Sequence, residues 1–221
     1  MAQIKGLLFD LDGVIVDTAK YHYLAWKELA DELGITFTLE DNERLKGVSR
    51  DRSFEIILEI GNRVMDLEKR RELCEKKNNL YLTYINKMTE AEILPGVNLF
   101  LQDAKQKGFL LGLGSASKNS MLILEKLKLV QIFDVIIDGM KVTKAKPDPE
   151  VFTLGATLLK LNNQECLVFE DATAGIEAAH QGGMKAVGVG SKELLPEADI
   201  NIKGFAGITM TDILEAIEMA V

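Results

Sequence analysis

Cysteine is nearly missing from this 221-residue chain, which has only Cys74 and Cys166. Two thiols so far apart supply neither a disulfide framework nor a zinc site. An excess of basic charge is missing too, since 26 lysines and arginines stand against 34 aspartates and glutamates, a formal net charge of -8. That balance argues against a nucleic-acid footprint and against attraction to anionic lipid. No apolar run is long enough to cross a bilayer, and there is no basic-then-apolar leader, repeat or low-complexity segment. The expectation is a cytoplasmic protein with no nucleic-acid partner and no membrane partner. What the chain does have is 47% hydrophobic and 27% charged residues. That suffices for one sizeable core, or for a main domain carrying a smaller inserted one.

The run Phe9-Asp10-Leu11-Asp12-Gly13-Val14-Ile15-Val16-Asp17-Thr18 is the most informative stretch. It follows Ile4-Lys5-Gly6-Leu7-Leu8, which predicts a short buried strand. Two carboxylates then stand where that strand ends, and Gly13 lets the backbone turn away. Carboxylates at a strand's carboxyl end can hold a hard divalent cation, and an aspartate can also act as a covalent nucleophile. An Asp-x-Asp alone reads first as a solvated acidic turn, so its company further along the chain decides its meaning.

Residues 19–34 carry an apolar helical stripe of Tyr23, Trp26, Leu29, Ala30 and Leu33, closed by Gly34. Helical patterns also cover roughly 53–61 and 66–88, and no strand pattern appears between 19 and 92. After Pro95-Gly96 the chain alternates. Strands are predicted at Phe109 to Gly114, Val135 to Ile137, Cys166 to Phe169 and Ala186 to Val189. Helices are predicted at Ser117 to Leu129 (with Ser117 as N-cap), Pro147 to Leu161 and Thr173 to Gly182. Alternation of this kind implies a mostly parallel sheet covered on both faces. The expected organisation is an α/β core of residues 1–16 and 92–221, with an α-helical cap at 17–91 inserted after the first strand.

Ligands of open α/β sheets bind beyond the carboxyl ends of the strands. Four such ends carry chemistry here: Asp10 and Asp12; Ser115-Ala116-Ser117-Lys118-Asn119; Lys144-Ala145-Lys146-Pro147; and Glu170-Asp171. An acidic protein that binds phosphate must build a local positive site from a metal or a few lysines. Phosphoryl transfer needs such a set, with cations offsetting charge on the equatorial oxygens while a carboxylate attacks in line. Taken singly, Ser115 or Ser117 reads as a helix cap, Lys146 as a loop lysine and Glu170-Asp171 as acids at a helix start. Their joint occurrence in order, each after its own strand, is what the separate readings leave unexplained.

Asp10-Leu11-Asp12-Gly13-Val14, Ser115, Lys146-Pro147 and Glu170-Asp171 resemble the four motifs of the haloacid dehalogenase superfamily. The resemblance implies a Rossmann-like, mostly parallel sheet core with an inserted α-helical cap domain, Mg2+ and an aspartyl-phosphate intermediate. It runs nearly end to end with the sugar-phosphate mutases of that superfamily. It therefore implies interconversion of β-glucose 1-phosphate and β-glucose 6-phosphate through β-glucose 1,6-bisphosphate. On this reading the partners are small-molecule sugar phosphates, and the plan needs no second subunit, so a monomer is expected.

The resemblance also implies roles. Asp10 is the nucleophile, and Asp12 the general acid and base. Asp10, the Asp12 backbone carbonyl and Asp171 bind magnesium, with Glu170 in support. Ser115 and Lys146 engage the transferring phosphoryl group, while Thr18 and His22 lie in the hinge before Trp26. The stretch Leu45 to Arg50, with Gly47, Val48 and Ser49, matches the mutases' substrate-specificity loop. Ser53, Lys77, Ala116 and Ser117 fall on further substrate positions, and Arg50, Lys118 and Asn119 hold the phosphate that is not transferred. Read without the family, His22 suits an apolar helix face and Arg50 and Lys77 suit solvated helix surfaces. Ala145 and Ala172 replace small hydroxyl residues expected beside catalytic positions. A phosphatase of the same superfamily and a silent phosphosugar-binding protein remain the alternatives, although binding alone would not need a nucleophile.

Overall fold

The computed structural model describes residues 3–45 and 48–220. Thr18–Met88 forms one compact unit, and the residues on either side of it together form the other. In chain order the elements begin with β1 (Gly6–Phe9), α1 (Ala19–Glu32), α2 (Leu39–Glu43), α3 (Arg50–Ile60) and α4 (Leu67–Ile85). They continue with α5 (Val97–Gln106), β2 (Leu110–Gly114), α6 (Ser120–Lys126), β3 (Val135–Ile137) and α7 (Glu150–Leu158). The last are β4 (Cys166–Glu170), α8 (Thr173–Gln181), β5 (Lys185–Val189), β6 (Ile200–Ile202) and α9 (Met210–Met219).

The strands form one parallel sheet in the order β3-β2-β1-β4-β5-β6. The chain steps outward from β1 to β3, then returns to the other side of β1 and steps outward again. That reversal opens a crevice at the carboxyl ends of β1 and β4, where open α/β sheets hold ligands. The register sets Phe9 level with Leu113 on one side and Phe169 on the other, so the residues that follow them share one edge.

Both faces of β1 and β4 are covered, which is why their sequences GLLF and CLVFE are apolar almost throughout. Successive side chains leave opposite faces. Leu8 joins Val168, Phe152, Ala156 and Leu159 beneath α7. Phe9 points the other way and stacks on Phe169 with ring centroids 4.7 Å apart, edged by Phe100 and Phe133. Burying each such ring contributes roughly 1.5–3 kcal/mol, so the strand that delivers Asp10 is clamped on both faces.

The Thr18–Met88 unit has its own apolar cluster, built from Trp26, Leu29, Phe37, Phe54, Ile57 and Leu73. Two of its helices start on polar caps: Ser49 accepts from the Arg52 N–H at α3, and Asp66 accepts from the Lys69 N–H at α4. Among the described residues no helix is long and apolar enough to cross a membrane.

One sequence expectation needs correction. Ser117 does not cap a helix; α6 begins at Ser120, with Asn119 in the cap position. The Ser117 hydroxyl instead accepts from the Asn119 N–H at 3.2 Å, and its carbonyl accepts from Ser120 Oγ and the Gly139 N–H. Ser117 ties a loop together, and the helix can start only after it.

Candidate active site at the strand ends

Asp10 leaves the end of β1 with its N–H donating to the Phe169 carbonyl at 2.9 Å, so the sheet ladder itself fixes its position. Glu170 is the last residue of β4, and both residues are buried. Between them lies the Lys146 ammonium, 2.5 Å from Asp10 Oδ1 and 3.0 Å from Glu170 Oε2. The same ammonium sits 4.7 Å from the centre of the Phe152 ring on α7. Burial opposes the lysine's charge, but attraction to Asp10 and then Glu170 outweighs it and holds the ammonium above the usual lysine range. Burial raises the Glu170 carboxyl well above its usual value; Lys146 opposes this, and Asp10 and Asp171 add to it.

Asp171 adds a third carboxylate beside Asp10 and Glu170. Asp10, Glu170 and Asp171 can each offer one oxygen, and these oxygens lie within 4.8 Å of one another. An all-oxygen donor set with surplus negative charge fits a hard divalent cation such as magnesium. Two glycines make room for it. Gly13 has φ +76°, and a Cβ there would stand 1.9 Å from Asp171 Oδ2. At Gly175 a Cβ would meet the Glu170 carboxyl carbon at 2.1 Å. The Asp12 carboxylate is not one of these three.

Beyond β2, Ser115 is buried and its N–H donates to the Ile137 carbonyl at 3.0 Å. Its Oγ accepts from the Ser117 N–H at 3.1 Å, leaving the hydroxyl proton to donate elsewhere. Asn119 and Ser117 are half-buried in the same loop, and Ala116 and Lys118 are exposed. This loop is held from β3 by the Gly139 N–H and by a close backbone approach, since a Cβ at Gly139 would lie 2.2 Å from the Ala116 carbonyl oxygen.

The helical unit brings together a second group. Lys77 is buried, with its ammonium 2.7 Å from His22 Nδ1, 4.6 Å from the Trp26 ring centre and 5.0 Å from that of Tyr81. An ammonium only donates, so Nδ1 accepts and the imidazole proton is on Nε2. Burial, then the charges of Lys77 and Arg50, push the His22 pKa well below 6.5. Arg50 donates to Asn78 Oδ1 at 2.7 Å. Ser49 and Ser53 have structural duties, as the cap of α3 and as a donor to the Ser49 carbonyl. Thr18 is buried at the start of α1, and Val48 is exposed. Gly47 lies outside the described residues.

A family model described as haloacid dehalogenase-like hydrolase matches residues 7–189. The chain belongs to this family. Among haloacid dehalogenase-like proteins it is similar to the β-phosphoglucomutase of Bacillus subtilis, with 40% identity over 94% of this chain and 92% of the relative. The crystal structure of a β-phosphoglucomutase from Clostridium difficile superposes with a TM-score of 0.92 at 41% identity, covering 98% of both chains. A fructose-1-phosphate phosphatase of Escherichia coli is 32% identical over 83% of this chain and 95% of the relative.

The sequence reading of this haloacid dehalogenase-like core omitted residues that shape the site without reacting. Phe152 lies under Lys146, and Gly175 opens space for Glu170. A signal for Gly175 existed: a small residue one helical turn after a strand-end acidic pair leaves space for a carboxylate. Phe152 had none, because an apolar residue on α7 reads only as core.

Proposed function

We propose that the chain is a β-phosphoglucomutase, which interconverts β-glucose 1-phosphate and β-glucose 6-phosphate through the 1,6-bisphosphate. The observation that carries this reading is the 40% identity over nearly the whole length to a β-phosphoglucomutase, against 32% to the fructose-1-phosphate phosphatase.

The chemistry falls to residues at the strand ends. An Asp10 carboxylate oxygen attacks phosphorus, and the bond from phosphorus to the sugar oxygen breaks. Asp12 gives a proton to that departing oxygen and takes one from the sugar hydroxyl that attacks next. Transfer to the 6-hydroxyl of β-glucose 1-phosphate yields the bisphosphate. Renewed attack by Asp10 at the 1-phosphate then releases β-glucose 6-phosphate. The Lys146 ammonium, paired with Asp10, keeps the nucleophile aimed, and Ser115 donates to a phosphoryl oxygen. A divalent cation on Asp10, Asp171 and the Asp12 carbonyl, with Glu170 in support, would offset charge on the transferring group. Lys118 and Asn119 in the core, and Arg50 in the helical unit, serve as phosphate-binding groups.

One assay tests the reading. With β-glucose 1-phosphate, magnesium and a trace of the bisphosphate, glucose 6-phosphate should form much faster than free phosphate. Phosphate release without isomerisation would move the chain to the sugar-phosphate phosphatases, and no turnover at all would make it a binding protein.

A further inference from the structure

We propose that Glu150 is a positioning residue for Lys146, acting through the backbone of Thr143 and Lys144. The inference rests on the reading of Lys146 as the lysine of a phosphoryl-transfer site.

Residues 143–149 belong to neither a helix nor a strand, so their N–H groups have no ladder to join. A lysine side chain turns about many bonds, and its ammonium is placed only as well as its backbone is. Glu150, the first residue of α7, supplies the missing partners. Its Oε2 accepts from the Thr143 N–H at 2.9 Å and the Lys144 N–H at 2.8 Å, and the Thr143 hydroxyl donates to both carboxylate oxygens. The loop is closed a second time by Asp148. Its N–H donates to the Ala145 carbonyl at 3.0 Å, its Oδ1 accepts from the Glu150 N–H at 3.0 Å, and its Oδ2 lies 3.1 Å from the Lys144 ammonium.

The Lys144 N–H foremost, and the Thr143 N–H and hydroxyl, hold the Glu150 carboxyl below its usual range against some desolvation. Two residues further along α7, Phe152 places its ring under the Lys146 ammonium. The first turn of α7 thus fixes the root of the lysine through Glu150 and its tip through Phe152.

The test uses the full chain with magnesium and p-nitrophenyl phosphate, whose hydrolysis is open to mutase and phosphatase alike. Glu150→Ala should lower kcat by about tenfold or more with KM within about threefold, and Glu150→Gln, which keeps one acceptor oxygen, should restore most of the loss. The double variant Glu150→Ala/Lys146→Ala should be within about twofold of Lys146→Ala alone, because Glu150 acts through the lysine. Losses that multiply, or a folded Glu150→Ala with wild-type kcat, would overturn the proposal. If the alanine variant does not fold, Glu150→Gln carries the test, with a loss of about two- to fivefold that vanishes in the Lys146→Ala background. If the wild-type chain does not cleave the ester, the phosphoryl-transfer reading fails by itself. Side-chain 15N NMR then still reads positioning: the Lys146 ammonium resonance should shift or broaden in Glu150→Ala, and an unchanged resonance rejects the role.

Discussion

At the scale of single residues, the site is an arrangement of charge that water would dissolve if it reached it. Asp10 and Glu170 are buried with one lysine between them, and the geometry persists because every charge has a near partner. Asp10→Asn keeps the shape and removes the nucleophile, so radiolabelled bisphosphate should leave no label on the variant; persistent label would assign the nucleophile elsewhere. His22 makes a prediction about pH. Its folded pKa lies well below 6.5, so the unfolded chain binds the extra proton between those two values. Stability supplied by neutral His22 is therefore complete above about pH 6.5 and declines as the pH falls toward the folded pKa. Replacing Lys77 by Met removes a neighbouring positive charge and should raise the His22 pKa, read by NMR titration, and flatten the dependence of unfolding free energy over that window. The cluster of Asp10, Lys146, Glu170 and Asp171 was legible in the sequence because each lies at or beyond a strand end and carries a group that apolar neighbours cannot explain. The pairing of Lys77 with His22 was not legible, because it joins two helices far apart in the chain.

Elements were legible where their period was long and their neighbours conventional. The pattern over 19–34 became α1, and the strands of the alternating region became β2 to β5. Four elements escaped the sequence reading, α2, α5, β6 and α9. The apolar positions of α5, Val97, Phe100, Leu101 and Ala104, have a clean helical spacing, but Pro95-Gly96 just before them reads as loop. β6 is three residues long with a polar Asn201 at its centre, too short for a period to show. α9 was missed although Thr209 and Asp212 form a capping box, because that signal stands before the apolar run and not within it. Caps also allow a stability forecast: Asp66→Ala should cost the protein about 1 kcal/mol in denaturant titration through loss of the bond to the Lys69 N–H. Gly139→Ala should act on a loop instead, because its Cβ would press on the Ala116 carbonyl. A loss of about 1–3 kcal/mol and weaker phosphate binding by calorimetry are expected, as for other overpacked sites.

At the scale of the whole molecule, the acidic sequence with net charge -8 makes its one concentrated positive need local, at Lys146 and at a cation site. Magnesium at the Asp10, Glu170 and Asp171 cluster would bind the folded state alone, so a concentration about 100-fold above its Kd should add about 2.7 kcal/mol to stability. Thermal melts with magnesium and with a chelator measure this, and Asp171→Asn should erase the difference. The central place of β1 in the sheet has a consequence for the living cell. Asp10 emerges from the ribosome long before Lys146 and Glu170, and β1 must wait for β4 before its second edge is paired. At roughly 5–20 residues per second, the nascent chain spends about ten seconds or more with that edge open. Until β4 has emerged, the second edge of β1 lacks its partner and Glu170 is missing from the cluster around Lys146.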